Sequence, residues 1–464
     1  MNSREETTMV QIDEILKKQR SFFQSGTTRE LAFRLEQLQK LKEVVLKYEP
    51  QIIAALKESL NKSEFESYAT EIGFLLKEIR VMMKYLASWS KPKKVKSPVT
   101  HFGSKSFIYP EPYGVSLIIA PWNYPFQLTM APLVGAIAAG NCAVVKPSEM
   151  TPGVSQLVAH MIRETFSPDY IAVVEGGVEI SDELLEQPFD HIFFTGSVPV
   201  GKIIMEKAAR SLTPVTLELG GKSPAIVDQD ADLNLAAKRI AWGKWTNAGQ
   251  TCIAPDYLYV HHKIKDPFLM KLRVTVKEFY GEHPLENPDY PCIINQRHFN
   301  RLQSFLHEGH VILGGRVDRE KNSIEPTVLE GVDWEMPVMN EEIFGPILPV
   351  LTFEDLTEVI QKVRDKPKPL SLYYFSRSEI EQERVIRSIP FGGGCVNDTL
   401  MHIANPYLPF GGVGSSGFGS YHGKASFDCF SHYKSVLKQT TRFDIPFRYP
   451  SFKGGLKIIK KLMK

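Results

Sequence analysis

The chain has 464 residues, 43% of them hydrophobic and 23% charged, the proportions of an ordinary globular protein and not of a disordered or membrane-embedded one. That length exceeds one ordinary core and predicts two domains with a smaller appendage. The 55 Lys and Arg against 53 Asp and Glu leave a net charge of +2, which supplies no field for gathering nucleic acid, so no nucleic-acid partner is expected.

The opening segment MNSREETTMVQIDEILKKQR is polar and charged where an export signal needs an apolar stretch, and a cytoplasmic protein is expected. From Thr27 to about Trp89 the pattern is helical. Thr27 and Glu30 have capping-box spacing, and Leu31, Leu35, Leu38, Leu41, Val45 and Tyr48 recur at helical intervals, punctuated by Pro50 and the Asn61-Lys62-Ser63 turn. No chemistry is evident there. Lys91 to Pro98, rich in Lys and Pro, reads as a linker.

A βαβ rhythm follows. Gly114 to Ala120 is a short apolar run suited to a buried parallel strand, Ala131 to Ala139 reads as a helix, and Asn141 to Val145, Ile171 to Val174 and His191 to Phe194 read as further strands. This predicts a doubly wound sheet whose ligands bind beyond the carboxyl ends of the strands. After Leu219 a second series begins with Ala225-Ile226-Val227, a helix over Leu233 to Trp245, Leu258-Tyr259-Val260 and Ser371 to Phe375, and a second domain is placed there. The tail from Phe447 to Lys464 mixes Leu, Ile and Met with Lys, which is compatible with a basic amphipathic helix on an anionic membrane surface, although a solvated, frayed or partner-docked end is the commoner reading of such a pattern. No stretch reaches the about eighteen uninterrupted apolar residues of a membrane span.

Six short segments have residue types suited to chemistry. Asn247 to Ala254 surrounds Cys252 with small and polar residues, giving a thiol room for substrate and a nearby N–H for an oxyanion. The other cysteines, Cys142, Cys292, Cys395 and Cys429, read as small buried hydrophobes; no C-x-x-C pair indicates a disulfide framework or zinc knuckle, and no metal is expected. Glu218 stands among apolar residues before Gly220-Gly221, where desolvation raises a carboxyl toward general-base range. Asn123, in Pro121-Trp122-Asn123-Tyr124-Pro125, presents an amide at a strand end. Lys146 and Glu149 stand three apart after a strand, with the groups that ribose hydroxyls need. Thr195-Gly196-Ser197 is a glycine turn between a strand and a helix beginning near Pro199, and Glu342 and Phe344 pair a carboxylate with an aromatic ring before Pro346. Singly, each also fits a turn, a packing role or a solvated surface.

Together, in this order, the segments PWNYP, KPSE, FTGS, ELGGKSP, NAGQTC and EEIFGP resemble the aldehyde dehydrogenase superfamily over residues 28 to about 435, and the short N-terminal region with the ending PFGGVGSSGFGSYHGKASFDCFSHYKS resembles its class 3 branch. The resemblance implies an α/β fold: a Rossmann-type cofactor domain over residues 1–90 and 114–219, an α/β catalytic domain over 220–415, a small oligomerisation arm over 91–113 and 425–446, and a basic tail over 447–464. It implies NAD(P)-dependent oxidation of medium or long aliphatic or aromatic aldehydes to acids. In that scheme Cys252 is the nucleophile, Asn123 and the Cys252 N–H hold the oxyanion, and Glu218 activates the hydrolytic water. Glu342 and Phe344 then take the nicotinamide ribose, Lys146 and Glu149 the adenosine ribose, and Gly196 and Ser197 the pyrophosphate. A carboxylate at Glu149 favours NAD over NADP, whose 2′-phosphate it repels, although Lys146 offsets part of that repulsion. A homodimer is expected. The rivals are a coenzyme-A-acylating relative, against which Glu218 argues, an idle binding protein on the same fold, and a cofactor-free cysteine hydrolase, for which no histidine stands by Cys252 in the sequence.

Overall fold

The computed structural model describes residues 3–445, 449 and 453–463. Its centre is a six-stranded sheet in the order Gly417–Phe418, Val215–Glu218, His191–Thr195, Val115–Ile119, Cys142–Lys146, Ile171–Val173, parallel throughout except for the short Gly417–Phe418 edge. Val115–Ile119, Cys142–Lys146 and His191–Thr195 are buried at every position, because helices cover both faces and leave no polar side to the sheet. The chain enters at Val115–Ile119, winds outward through Cys142–Lys146, then returns to the other side at His191–Thr195. That reversal opens a crevice at the carboxyl ends of Val115–Ile119 and His191–Thr195, where Asn123 and the Gly196 turn lie. Helix Gln127–Ala139 is buried along its whole length because it is sandwiched between the sheet and the helices Leu31–Lys47, Gly73–Trp89 and Lys424–Cys429.

A second sheet of seven strands runs His310–Leu313, Thr327–Glu330, Ile347–Phe353, Tyr257–His261, Pro224–Val227, Ser371–Phe375, Gly393–Val396. Only His310–Leu313 is antiparallel to its neighbour. A third sheet is antiparallel: Lys93–Val95, Ser104–Pro112 and Ser431–Gln439, the last two paired from Ser431 opposite Pro112 to Gln439 opposite Ser104.

Four expectations need correction. Helix Leu31–Lys47 has no capping box: a single 3-10 turn covers Thr27–Arg29, the Thr27 hydroxyl pairs with that of Ser25 at 2.8 Å, and Glu30 takes the cap position with no side-chain bond. The Lys91–Pro98 stretch contains strand Lys93–Val95. Residues 425–430, assigned above to the arm, instead pack on the first sheet, with Phe430 stacked on Phe193 and edge-on to His191. Cys142 is buried, but Cys292, Cys395 and Cys429 are only partly so. In the tail, Gly455–Leu462 is a helix, while Phe447 and Lys464 lie outside the described residues. Among the described residues no helix is long and apolar enough to cross a membrane.

Candidate active site

Cys252 follows helix Leu233–Trp245, which Asp232 caps by accepting from the Asn234 and Leu235 N–H groups. Between helix and cysteine, Asn247, Ala248 and Gly249 are all left-handed, with φ of 53°, 51° and 75°. Such a run costs an alanine about 1–2 kcal/mol, and surrounding bonds hold it in place. The Asn247 amide donates to the carbonyls of Asn123 at 2.8 Å and Gln250 at 3.1 Å. The Gln250 amide donates to the carbonyls of Asn247 and Cys292 and accepts from Ile294 N–H, while Tyr373 Oη donates to the Ile253 carbonyl at 2.6 Å. Gly249 must be glycine: a Cβ there would stand 2.2 Å from the Gly345 carbonyl oxygen.

A cavity of about 1350 Å3 between the two large sheets contains Cys252, Asn123, Glu218, Glu342, Phe344 and the Gly196-Ser197 turn. Burial, then the Glu342 and Glu218 carboxyls, push the Cys252 thiol well above its ordinary range, while the N–H groups of Cys252 and Ile253 favour the thiolate. Two main-chain donors therefore face the sulfur. Asn123 Nδ2 spends one N–H on the Gln250 carbonyl at 3.0 Å, leaving its second for another acceptor. Glu218 ends strand Val215–Glu218 with both carboxyl oxygens buried and without a hydrogen-bond partner, and burial raises it well above the carboxylate range. A buried carboxyl left without partners is poised to take a proton from whatever enters.

Glu342 approaches from the second sheet. Its carboxyl is pushed up to about 8, first by burial and then by Asp256, while the Gly221 N–H holds it from the opposite sense. A Cβ at Gly220 would lie 2.0 Å from Glu342 Oε2, so the glycine makes room for the carboxyl in the crevice. Phe344, itself left-handed at φ 50°, meets Trp122 edge-on at 5.3 Å. Ser197 precedes helix Val198–Arg210, whose first turn has no side-chain cap, so its N–H groups are open to an anion. Gly196 differs from expectation: its N–H is committed to the Glu218 carbonyl at 2.9 Å, so the turn brings the backbone close but donates through the following residues. Lys146, buried, pairs with the more exposed Glu149 at 2.9 Å. The uncapped helix, the cleared space at Gly220 and the two carboxyls fit a dinucleotide. Among the described residues no group of three or more His, Cys, Asp or Glu is arranged to hold a metal ion.

The motifs did not disclose three charged groups around the site. Lys222 Nζ bonds Asp256 at 2.7 Å and the Val338 and Glu341 carbonyls, and Asp256 accepts from Ile343 N–H at 2.9 Å, which anchors the Glu342 loop. Lys244 is wholly buried with no bond to its amine and is pushed down to about 8 by burial. Lys62 and Glu71 form a buried ion pair behind Asn123. A charged residue inside a helical stretch is the only sequence signal for Lys244 and Glu71, Lys62 stands in a polar turn, and most such residues are solvated.

Residues 2–436 match the aldehyde dehydrogenase family, so the match starts well before residue 28 and takes in the first helix, Ser3–Gln24. A 4,4'-diaponeurosporen-aldehyde dehydrogenase of Staphylococcus aureus is 51% identical, covering 96% of this chain and 97% of its own. Aldehyde dehydrogenase family 3 member A2 of mouse (Mus musculus) is 48% identical over 90% of this chain and 86% of its own. The solved structure of a substrate-bound Staphylococcus aureus AldH superposes with a TM-score of 0.96 at 50% identity, covering 98% of this chain and 99% of that one. Among the relatives some are NAD-dependent and some NADP-preferring.

Proposed function

The chain belongs to the aldehyde dehydrogenase family, its relatives include family 3 members, and from that premise we propose how its own residues perform the reaction. It is an NAD(P)-dependent enzyme that oxidises aldehydes to carboxylic acids through a cysteine thiohemiacetal and thioester. Cys252 is the nucleophile: after its proton is released to solvent, the thiolate that the Cys252 and Ile253 N–H groups favour adds to the aldehyde carbon, and the free N–H of Asn123 with the Cys252 N–H holds the oxygen that becomes negative. Glu218 removes a proton from the water that attacks the thioester, and the carboxylic acid leaves with the Cys252 thiol restored. Glu342 holds the nicotinamide ribose beside Phe344, Lys146 and Glu149 the adenosine ribose, and Ser197 with the first turn of its helix the pyrophosphate, with Gly196 giving it room. Bound there, the nicotinamide supplies the hydride acceptor.

What carries the reading is one observation: the Cys252 sulfur, the unpartnered Glu218 carboxyl and the half-free Asn123 amide line one cavity. Phe74, Leu128, Ile403 and Phe410 make another part of its wall apolar, which suits medium or long aliphatic or aromatic aldehydes. Glu149 favours NAD over NADP. The test is NADH formation across an alkanal series and benzaldehyde, without coenzyme A, for the native enzyme and Cys252→Ala. Acid formation without coenzyme A that vanishes in the variant is expected; dependence on coenzyme A would support the acylating rival.

The first sheet with the N-terminal helices serves as the cofactor domain and the second as the catalytic domain. Among the described residues the outer edge of Ser431–Gln439 has no strand partner, which suits a homodimer contact that sedimentation would detect. Lys457, Lys460 and Lys461 share one face of helix Gly455–Leu462 and Leu456, Ile459 and Leu462 the other. That division suits weak contact with an anionic bilayer, and co-sedimentation with anionic vesicles tests it. A cytoplasmic location is inferred with it.

A further inference from the structure

The segment 62–71, which lacks any catalytic motif, lies directly behind the oxyanion donor. Lys62 follows Asn61, whose left-handed φ of 53° ends helix Glu49–Leu60 and turns the lysine inward. There Lys62 is fully buried and uses its amine three ways: on Glu71 Oε1 at 2.5 Å, on the Asn123 carbonyl at 3.0 Å, and over the Tyr124 ring at 4.0 Å from its centre. Glu71 sits on a π-helical turn, Tyr68–Ile72, a widening often found beside functional sites. Its second oxygen accepts from Phe126 N–H at 2.9 Å and Gln127 N–H at 3.2 Å, at the start of helix Gln127–Ala139. Residues 123–127 are thus held at one end by the lysine and at the other by its partner carboxylate.

The nucleophile loop is tied to the same segment. Glu66 Oε1 accepts from Asn247 N–H at 2.8 Å, and the Asn247 amide meets the Asn123 carbonyl that Lys62 also holds. An ion pair needed only for packing could be replaced by apolar groups with little or no loss. This pair instead spends its remaining bonds on main-chain atoms of the active-site segment.

We propose that Lys62, Glu66 and Glu71 are positioning residues: a buried bracket that acts through Asn123 and Asn247 to set the oxyanion donor against the Cys252 loop. They touch neither aldehyde nor cofactor. Releasing the Asn123 carbonyl lets the amide shift by a fraction of an ångström, and misplacement of about 1 Å at a reacting centre costs on the order of 100-fold in rate. The inference rests on the assignment of Asn123 above.

A kinetic cycle tests it, comparing native enzyme, Asn123→Ala, the charge-neutral pair Lys62→Met with Glu71→Gln, and all three together. The bracket variant is expected to lose about 10- to 100-fold in kcat with aldehyde KM changed less than about threefold, and the triple variant to be no slower than Asn123→Ala alone. Losses that multiply, or an unchanged kcat in the bracket variant, would overturn the proposal. An unaffected Asn123→Ala enzyme would overturn the oxyanion assignment and the bracket with it, and is read from that arm alone. Should the double substitution not fold, the partly buried Glu66 decides: Glu66→Gln keeps an acceptor for Asn247 N–H and is expected to retain kcat, while Glu66→Ala loses it. Equal effects of the two would contradict a positioning role.

Discussion

Glu218 and Glu342 face the same cavity from different sheets, and they are held in opposite ways. Glu218 ends a strand of the first sheet with neither oxygen bonded. Glu342 stands on a loop pinned by the Gly221 N–H, by Arg301 on the Glu342 and Ile343 carbonyls, and by the Lys222–Asp256 pair through Ile343. Burial raises both carboxyls, so burial alone does not assign their roles. The difference is freedom: a base must exchange its proton with a passing water, whereas a carboxyl that grips a ribose must hold still.

The largest effect that sharpens this contrast is Glu218→Gln. Acid release should fall about 10²- to 10⁴-fold, while the first turnover still produces one NADH per site, visible as a burst in stopped flow. A lost burst would mean that Glu218 acts before the thioester. Glu342→Gln should act earlier and less, lowering the burst rate about tenfold with a raised KM for NAD, as expected for an interaction worth about 1.4 kcal/mol. If it instead left the burst intact and blocked only acid release, the two roles would be reversed. Asp256→Asn, which weakens the anchor of the Glu342 loop, should raise the KM for NAD about fivefold, roughly 1 kcal/mol, and leave hydrolysis unchanged.

The smallest effect concerns stability. Burial drives His191 and His422 down to about 3 and His402 to about 4, from an ordinary 6.5, the opposite direction from the two glutamates. A depressed folded pKa gives stability that is present above the ordinary value and lost as protons bind the unfolded state preferentially. The buried glutamates act in the opposite sense, so the histidine effect is read as a difference: the melting temperature of the native enzyme relative to His191→Gln should decline as pH falls from 6.5 toward 4. A difference that stays constant over that range would contradict the burial argument.

Much of this arrangement was legible in the residues. Val115–Ile119, Cys142–Lys146 and His191–Thr195 read as strands because uninterrupted apolar runs suit a sheet covered on both faces, and their order located the crevice. Cys252, Glu218, Asn123, Glu342 and Phe344 stood out by their neighbours and share one cavity. Local pattern failed where a polar group has several possible partners. Thr27 and Glu30 have the spacing of a capping box, yet Ser25 takes the threonine hydroxyl. Gly196 marks the turn, but only strand pairing reveals that its N–H is already spent. Lys62 and Glu71 are nine residues apart in a helical region and would ordinarily face water; a left-handed residue at Asn61 and a widened turn at Tyr68–Ile72 bring them inward, and neither feature has a sequence period.

The most direct test of the central claim is intact-protein mass spectrometry of Glu218→Gln after mixing with NAD and a long-chain alkanal, followed by peptide mapping. The enzyme described here accumulates one acyl group per chain, on Cys252, because the thioester forms and its water is not activated. An unmodified protein after the NADH burst, or an acyl group on any other residue, would contradict the division of labour between Cys252 and Glu218.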